Sequence, residues 1–434
     1  MDLTVTPAVT PAVTPAVTPA VEESPAHPAP TASRDADARP ARGPGRAARM
    51  AVLAAAGLTI MAPALIAPSL PAMAAGLGDE TLARLALTIT SLAIAVGAPL
   101  AGALADRIGR RPVLLSGLAV YAVAGSAGLV VPDLGSLLAS RAVLGLGVGA
   151  VTTAVSTLLT DWFAGPRRAT YLGYQQAAAS LGGVVLLPLA GLLADVGWRA
   201  PFWLYTAAAP IAVLALVAVP RSRWAPALAA RPAGGPTSSG APGPRTAARV
   251  TGLYLLALAA TGVFYMAPTQ LPFLLGGLGG GPGFGPAVVG VAIAGSTLTS
   301  LAGSLAFPAL RRRLSPTAIT LAALVLLGAG WSLIGLADGL GLVVAGLLVG
   351  GVGVGLTVPN LNLRLGELAP GGRRGRVLAG LVTGIFLGQF VSPLATAPLV
   401  VALGPDGAFT AAGLLTTAGA AVVAPFLLRP HRGR

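Results

Sequence analysis

From Arg49 onward the chain alternates long apolar runs with short polar breaks. The runs cover about 50–74, 82–105, 111–131, 136–160, 168–193, 200–220, 250–275, 286–310, 316–336, 340–363, 375–402 and 407–428. Each is close to the ~20 residues a helix needs to cross a bilayer, and Pro or Gly within such a run argues less against a helix in lipid than in water. The pattern predicts an all-α membrane protein with twelve transmembrane helices. A break at about 221–248, rich in Arg, Pro, Gly and Ser and without apolar period, reads as a flexible linker between two sets of six. Residues 1–48, in which Thr-Pro-Ala-Val recurs four times, bury nothing and read as a disordered tail. The expected organisation is therefore a tail (1–48), a six-helix bundle (49–220), a linker (221–248) and a second bundle (249–430).

Composition agrees. With 55% hydrophobic and 10% charged residues and a mean hydropathy of +0.81, a soluble fold would lack polar surface to cover itself, so the expected partner is a lipid bilayer. The net charge of +14 is no sign of nucleic acid, because the arginines come in twos and threes between apolar runs rather than along one stripe. They fall in alternate breaks, twenty-three on one side against Arg84 and Arg199 on the other. That bias puts both termini in the cytoplasm and the chain, as a multi-pass protein, in the plasma (inner) membrane. There is no cysteine, and the two histidines, His27 and His431, sit in the tails, so no metal site, cofactor or imidazole relay is expected within the spans. No nucleophile and base stand together, so no enzyme is expected. Gly145-x-Gly147-x-Gly149 has no preceding strand and lies inside an apolar run; it suits close helix packing, not a nucleotide.

The two halves repeat each other. Ala101-Gly102-Ala103-Leu104-Ala105 returns as Ala302-Gly303-Ser304-Leu305-Ala306, each followed by an arginine cluster. Gly145, Gly147 and Gly149 return as Gly351, Gly353 and Gly355, Arg167-Arg168 as Arg373-Arg374, and Leu181-Gly182 as Leu387-Gly388, with an offset drifting from 201 to 206. Such a repeat implies two pseudo-symmetric six-helix bundles.

Gly102 to Pro112, GALADRIGRRP, is a charged knot between the second and third runs, with Asp106, Arg107, Gly109, Arg110 and Arg111 at its centre. Its G-x-L-A-D-R-x-G-R-R pattern resembles the signature loop of the major facilitator superfamily; a generic arginine-rich turn would explain the charges but not Asp106 or the glycine spacing. Arg141-x-x-x-Gly145-x-Gly147 resembles that family's basic signature in helix 4. In helix 5 the glycine-rich motif of its exporters is degraded: Gly182 keeps the first spacing after Gly173, but Leu187-Pro188 stands where Gly-Pro is usual. The resemblance implies the family's fold, a substrate site between the halves, and docking of the Asp106 loop on the inner end of helix 11 as a conformational latch.

Polar residues within the spans mark a candidate pathway for substrate or a coupling proton: Arg141, Gln175, Gln176, Tyr265 and Gln389. Arg141 lies about 8 Å into helix 4, so it either faces the cavity as a counter-ion, with Asp133 as a partner two turns away, or snorkels outward and orients the helix. No Asp or Glu lies clearly within a span, which favours neutral or anionic substrates. The expected function is secondary transport of a small amphipathic molecule by alternating access, as a monomeric proton-coupled exporter, with an importer of a neutral or anionic metabolite or a non-transporting sensor as the alternatives.

Overall fold

The computed structural model describes residue 2 and residues 44–221, 244–278, 284–369 and 374–428. Apart from their edges, the expected tail and linker lie outside the described residues. All regular elements among the described residues are helices, and they belong to one unit, Gly43–Arg434. Span 1 comprises Arg46–Gly57, the 3-10 stretch Ala64–Ser69 and Leu70–Leu77. Spans 2 to 5 are Glu80–Ile108, Arg110–Ser126 with its 3-10 end Ala127–Leu129, Leu134–Trp162, and Gly165–Val196. Span 6 opens as a 3-10 helix, Ala200–Ala207, and continues as Ala208–Ala218; span 7 is Pro244–Phe264 and Met266–Gly277. Spans 8 to 10 are Pro286–Arg311, Pro316–Gly335 and Leu340–Leu368, and spans 11 and 12 share the stretch Arg374–Leu428, interrupted at Gly404.

Ten of these stretches are long and apolar enough to cross a membrane. Two further crossings follow from geometry. Span 1 is cut into pieces too short to qualify, and the 46 residues of Val377–Val422 would make a rod of ~69 Å, over twice the hydrocarbon thickness. Gly404, at φ +75°, turns the chain there in a backbone conformation that a Cβ would strain. Gly109, at φ +94°, does the same between spans 2 and 3, leaving a loop of one residue. The expected helix over 50–74 is the main departure: residues 58–63 are turns, because Pro63 and Pro68 cannot donate to the helical ladder. Capping fixes other ends. The carboxylate of Asp79 accepts from Leu82 N and that of Asp133 from Ser136 N, both at 2.9 Å. Asp133 is thus an exposed cap of span 4, with its carboxyl held below the usual range by Ser136, and not a partner of Arg141.

The glycine triplets set the spacing within each half. A Cβ on Gly145 would strike Thr90 O and Ala93 of span 2, one on Gly149 would lie 2.9 Å from Ala98 N, and one on Gly147 would meet Gly117 O and Val120 of span 3. In the other half Gly351 and Gly355 abut Ser296 and Ser300 of span 8, while Gly353 abuts Ala323 and Leu327 of span 9. Residues i and i+4 share a helix face and i+2 points ~200° away, so each triplet receives two neighbours at once. Gly182 likewise abuts the Gly57 carbonyl of span 1, and Gly388 abuts Leu258 and Thr261 of span 7. Pro188 lies half-buried inside span 5.

The halves meet along spans 5 and 8 and spans 2 and 11, and they meet unequally at the two ends. We call the end at which span 1 begins and span 12 finishes the near end. In the far half of span 2 nine residues between Ala83 and Ala95 are buried and point in all directions. In its near half only Gly97, Ala101 and Ala105 are buried, one stripe at i, i+4, i+8 against span 4, while Leu100 and Leu104 are 63% and 44% exposed. At the far end the seam is closed by Gly191 on Pro286 and Ala287, Gly290 on Leu187, and Arg84 over the Phe273 ring at 4.2 Å. Arg84, counted on the outer side, is a buried residue near the far end of span 2, ion-paired with Glu80. Gly145→Leu and Gly351→Leu are each expected to lower stability by ~1–3 kcal/mol through overpacking, and Gly252→Ala, where a Cβ meets open space, not at all. Thermal unfolding midpoints of the purified protein in detergent would check this.

Candidate functional site

Spans 1 and 7 are both interrupted near their middles, and the interruptions are related. Met61-Ala62-Pro63 and Met266-Ala267-Pro268 stand 205 residues apart, inside the drift of the internal repeat. That recurrence is legible in the sequence alone. In hydrocarbon a freed carbonyl needs a donor, and at span 1 two tyrosines supply it. The Tyr121 hydroxyl donates to Leu58 O at 3.0 Å and the Tyr205 hydroxyl to Ala62 O at 2.7 Å. At span 7 the break falls at Tyr265, whose carbonyl accepts from Thr269 Oγ1 at 3.0 Å.

Between the two breaks the halves make their central polar contact. The Ser91 hydroxyl of span 2 donates to Gln389 Oε1 of span 11 at 2.7 Å. The buried Tyr265 hydroxyl sits beside Ser91 without a hydrogen bond of good geometry. Nearby, Gln270 Nε2 donates to Thr396 Oγ1 at 3.3 Å and its Oε1 is left unpartnered. Gly183 of span 5 admits Met61 of span 1 and Thr297 of span 8. Tyr265 and Gln389 are thus brought together. Gln175 and Gln176 lie apart from them, toward the near end: Gln175 Nε2 donates to Ser156 Oγ at 2.8 Å, and Gln176 is exposed. Beside them Tyr171 stacks on Phe163 with centroids 3.7 Å apart and accepts from Arg49 Nη1 at 2.8 Å. Ser91 had no distinguishing signal in the sequence.

Arg141 is not in this group. Its side chain is 1% exposed and turned into its own half, where Nη2 donates to Ala124 O at 2.8 Å and to Gly125 O at 2.5 Å. Its guanidinium lies over the rings of Phe202 and Tyr205, at 4.9 and 4.8 Å. Gly125 and Gly128 leave room for those rings, since a Cβ at either position would run into them. The two carbonyls belong to the last turn of span 3, the negative end of a helix, and a cation is stabilised there without any carboxylate. Arg199 does the same a turn further on, donating to Gly128 O at 3.1 Å and Val131 O at 2.9 Å. The expectation of a cavity-facing counter-ion is thus corrected.

At the near end the GALADRIGRRP segment is mostly helix. Arg110 and Arg111 begin span 3, where the helix dipole disfavours cations, and both side chains turn to negative partners. Arg110 pairs with Asp161 at the end of span 4, 2.6 Å from Nε to Oδ2 though the N–H is poorly aligned, and Arg111 donates to Leu216 O in the last turn of span 6 at 2.5 Å. The Arg110 pair is partly exposed, so ~1 kcal/mol is an upper figure for it. Asp106 and Arg107 are exposed, and among the described residues Asp106 forms no hydrogen bond or ion pair.

Two halves of six helices, broken spans 1 and 7, and this loop are one combination. The sequence model of the Major Facilitator Superfamily matches residues 52–363. The chain belongs to that superfamily. Among superfamily relatives, the 3-(3-hydroxy-phenyl)propionate transporter of Escherichia coli is 28% identical over 68% of this chain and 64% of its own. The puromycin resistance protein pur8 of Streptomyces alboniger is 31% identical over 40% of this chain and 35% of its own, and for other curated relatives the chain spans about a quarter of their length. Among solved structures, a POT family transporter in complex with 5-aminolevulinic acid superposes with a TM-score of 0.72 at 15% identity, over 88% of this chain and 96% of that one.

Replacing Arg141 by Ala leaves two buried carbonyls without donors and is expected to cost ~1–3 kcal/mol of stability. A thermal midpoint equal to that of the parent would contradict the placement of the guanidinium on span 3.

Proposed function

We propose that the protein is a secondary transporter moving a small, neutral amphipathic molecule across the membrane by alternating access. The observation that carries this is the unequal seam: the halves are joined at the far end and through Ser91 and Gln389, while the near half of span 2 is packed on one side only. Halves joined at one end and less closely packed at the other are what one of the two states of such a cycle requires. The arginine bias makes the near end cytoplasmic, with both termini there and the chain in the plasma membrane. With Arg141 engaged on span 3, the polar groups at the centre are neutral, which favours substrates recognised by hydrogen bonds over ions. We read the direction as efflux, in keeping with the likeness to a resistance protein, and the driving force as a proton gradient, with Asp106, Asp161 and Glu367 the carboxylates at the near ends of spans 2, 4 and 10.

In this reading Asp106 acts as a latch. When the near end closes, its carboxylate docks on the start of span 11, where free backbone N–H groups and the helix dipole favour an anion by ~0.3–2 kcal/mol. Even ~1.4 kcal/mol changes a two-state ratio tenfold. Asp106→Asn should therefore shift the population toward the near-open state by up to about tenfold. Cysteines can be placed at the near ends of spans 2 and 11 in this cysteine-free chain, and their spin-label distances measured in vesicles. Distances and proton-driven uptake identical to the parent's would remove the latch. Absence of any pH-gradient-driven flux of amphipathic test compounds in the same vesicles would remove the transport reading itself.

A further inference from the structure

The second half contains a cavity of about 460 Å³ that is separate from the seam between the halves. It lies within one bundle, walled by spans 7, 9, 11 and 12. The repeat explains why it exists. Gly197 and Gly404 occupy matching turns, 207 residues apart, and the same offset pairs Phe202 with Phe409 and Tyr205 with Ala412. Phe202 and Phe409 are both fully buried, but where the Tyr205 ring fills the first half, Ala412 lines the cavity in the second.

The cavity has the form of a slot. Along span 7 its wall runs from Leu256 to Met266, ten residues or ~15 Å parallel to the helix axis. Its lining is apolar apart from a few hydroxyls. Most of these are already engaged with backbone: Ser392 donates to Gly262 O, Thr396 to Ser392 O and Thr416 to Ala412 O. It opens sideways at Ala259, Leu415 and Gly419, which are exposed on the outer face of the bundle. The medium on that face of a membrane protein is hydrocarbon, not water.

The near end of the slot is polar. Thr320 lines it and accepts from Arg364 Nη1 at 3.2 Å and from Asn360 Nδ2 at 2.8 Å. Asn360 is 1% exposed and its Oδ1 has no partner. Arg364 stands four residues, or ~6 Å, from the near end of span 10, at the depth where headgroups begin. It forms no ion pair among the described residues, Glu367 included. A dry slot along the bilayer normal, open to lipid and ending at a cation, is complementary to one molecule with a hydrocarbon chain and an anionic head. We propose that this slot holds one acyl chain of an anionic membrane phospholipid, with its phosphate at Arg364.

The test is native mass spectrometry of the full chain purified in detergent, with dioleoylphosphatidylglycerol, dioleoylphosphatidylcholine or free oleate added. The parent is expected to retain one phosphatidylglycerol at least tenfold more strongly than phosphatidylcholine. Ala412→Phe, which puts a ring into the slot, should abolish retention, and Arg364→Gln should bring phosphatidylglycerol down to the level of phosphatidylcholine. Because a ring at position 412 could also disturb folding, Gly419→Leu is the second blocking variant: a Cβ there meets open space, so the fold tolerates it while the side chain covers the mouth. Undiminished retention in both folded blocking variants would overturn the slot. Preferential retention of oleate over phosphatidylglycerol would overturn the phospholipid as its occupant. The readout is independent of transport, so failure here leaves the proposed function standing, and the reverse.

Discussion

Inside a bilayer every backbone polar group that leaves a helix must find a donor or acceptor within the protein, and much of this structure follows from that requirement. Span 1 is broken by proline, and the carbonyls of Leu58 and Ala62 are met by Tyr121 and Tyr205. Span 3 ends inside the bundle, and its last carbonyls are met by Arg141 and Arg199. Tyr205 serves both sites, since its hydroxyl reaches span 1 while its ring lies under the Arg141 guanidinium. The polar side chains of the first half therefore form a support for an irregular helix, and the irregular helix lines the centre.

The same economy of polar groups accounts for the use of glycine. Between apolar helices in lipid there is little hydrophobic gain from association, so helices are held by close packing. The paired triplets at 145, 147, 149 and 351, 353, 355 bring three helices together in each half at backbone distance. They draw the helices of each half together, and the halves then meet along spans 5 and 8 and spans 2 and 11.

Much of this was legible in the chain. Run length gave the spans, and the internal repeat gave the two halves, because both depend on periodicity along one dimension. What the sequence withheld was azimuth. The depth of Arg141 could be counted from the start of span 4, but not the direction of its side chain, and direction separates a counter-ion from a cap. Asp133 was two turns from Arg141 on paper, yet the first turn of a helix offers it free N–H groups nearer by. Gln175 and Gln389 looked alike as buried amides; the bundle puts one against Ser156 of its own half and the other across the seam. The break in span 1 was hidden by the tolerance granted to proline in lipid, and only its recurrence as Met-Ala-Pro in span 7 would have exposed it.

At its far end the seam between spans 5 and 8 brings Gly191 and Gly290 onto bare backbone, while further in Thr297 of span 8 fits against Gly183. Most helix pairs interlock side-chain ridges with grooves, so that sliding or turning one helix requires lifting a row of side chains out of one set of notches and into the next. Here almost nothing projects from either surface at the point of closest approach. Such a surface offers few steps to lock one helix against the other, so the fit of the two halves rests more on the side chains that meet away from that point.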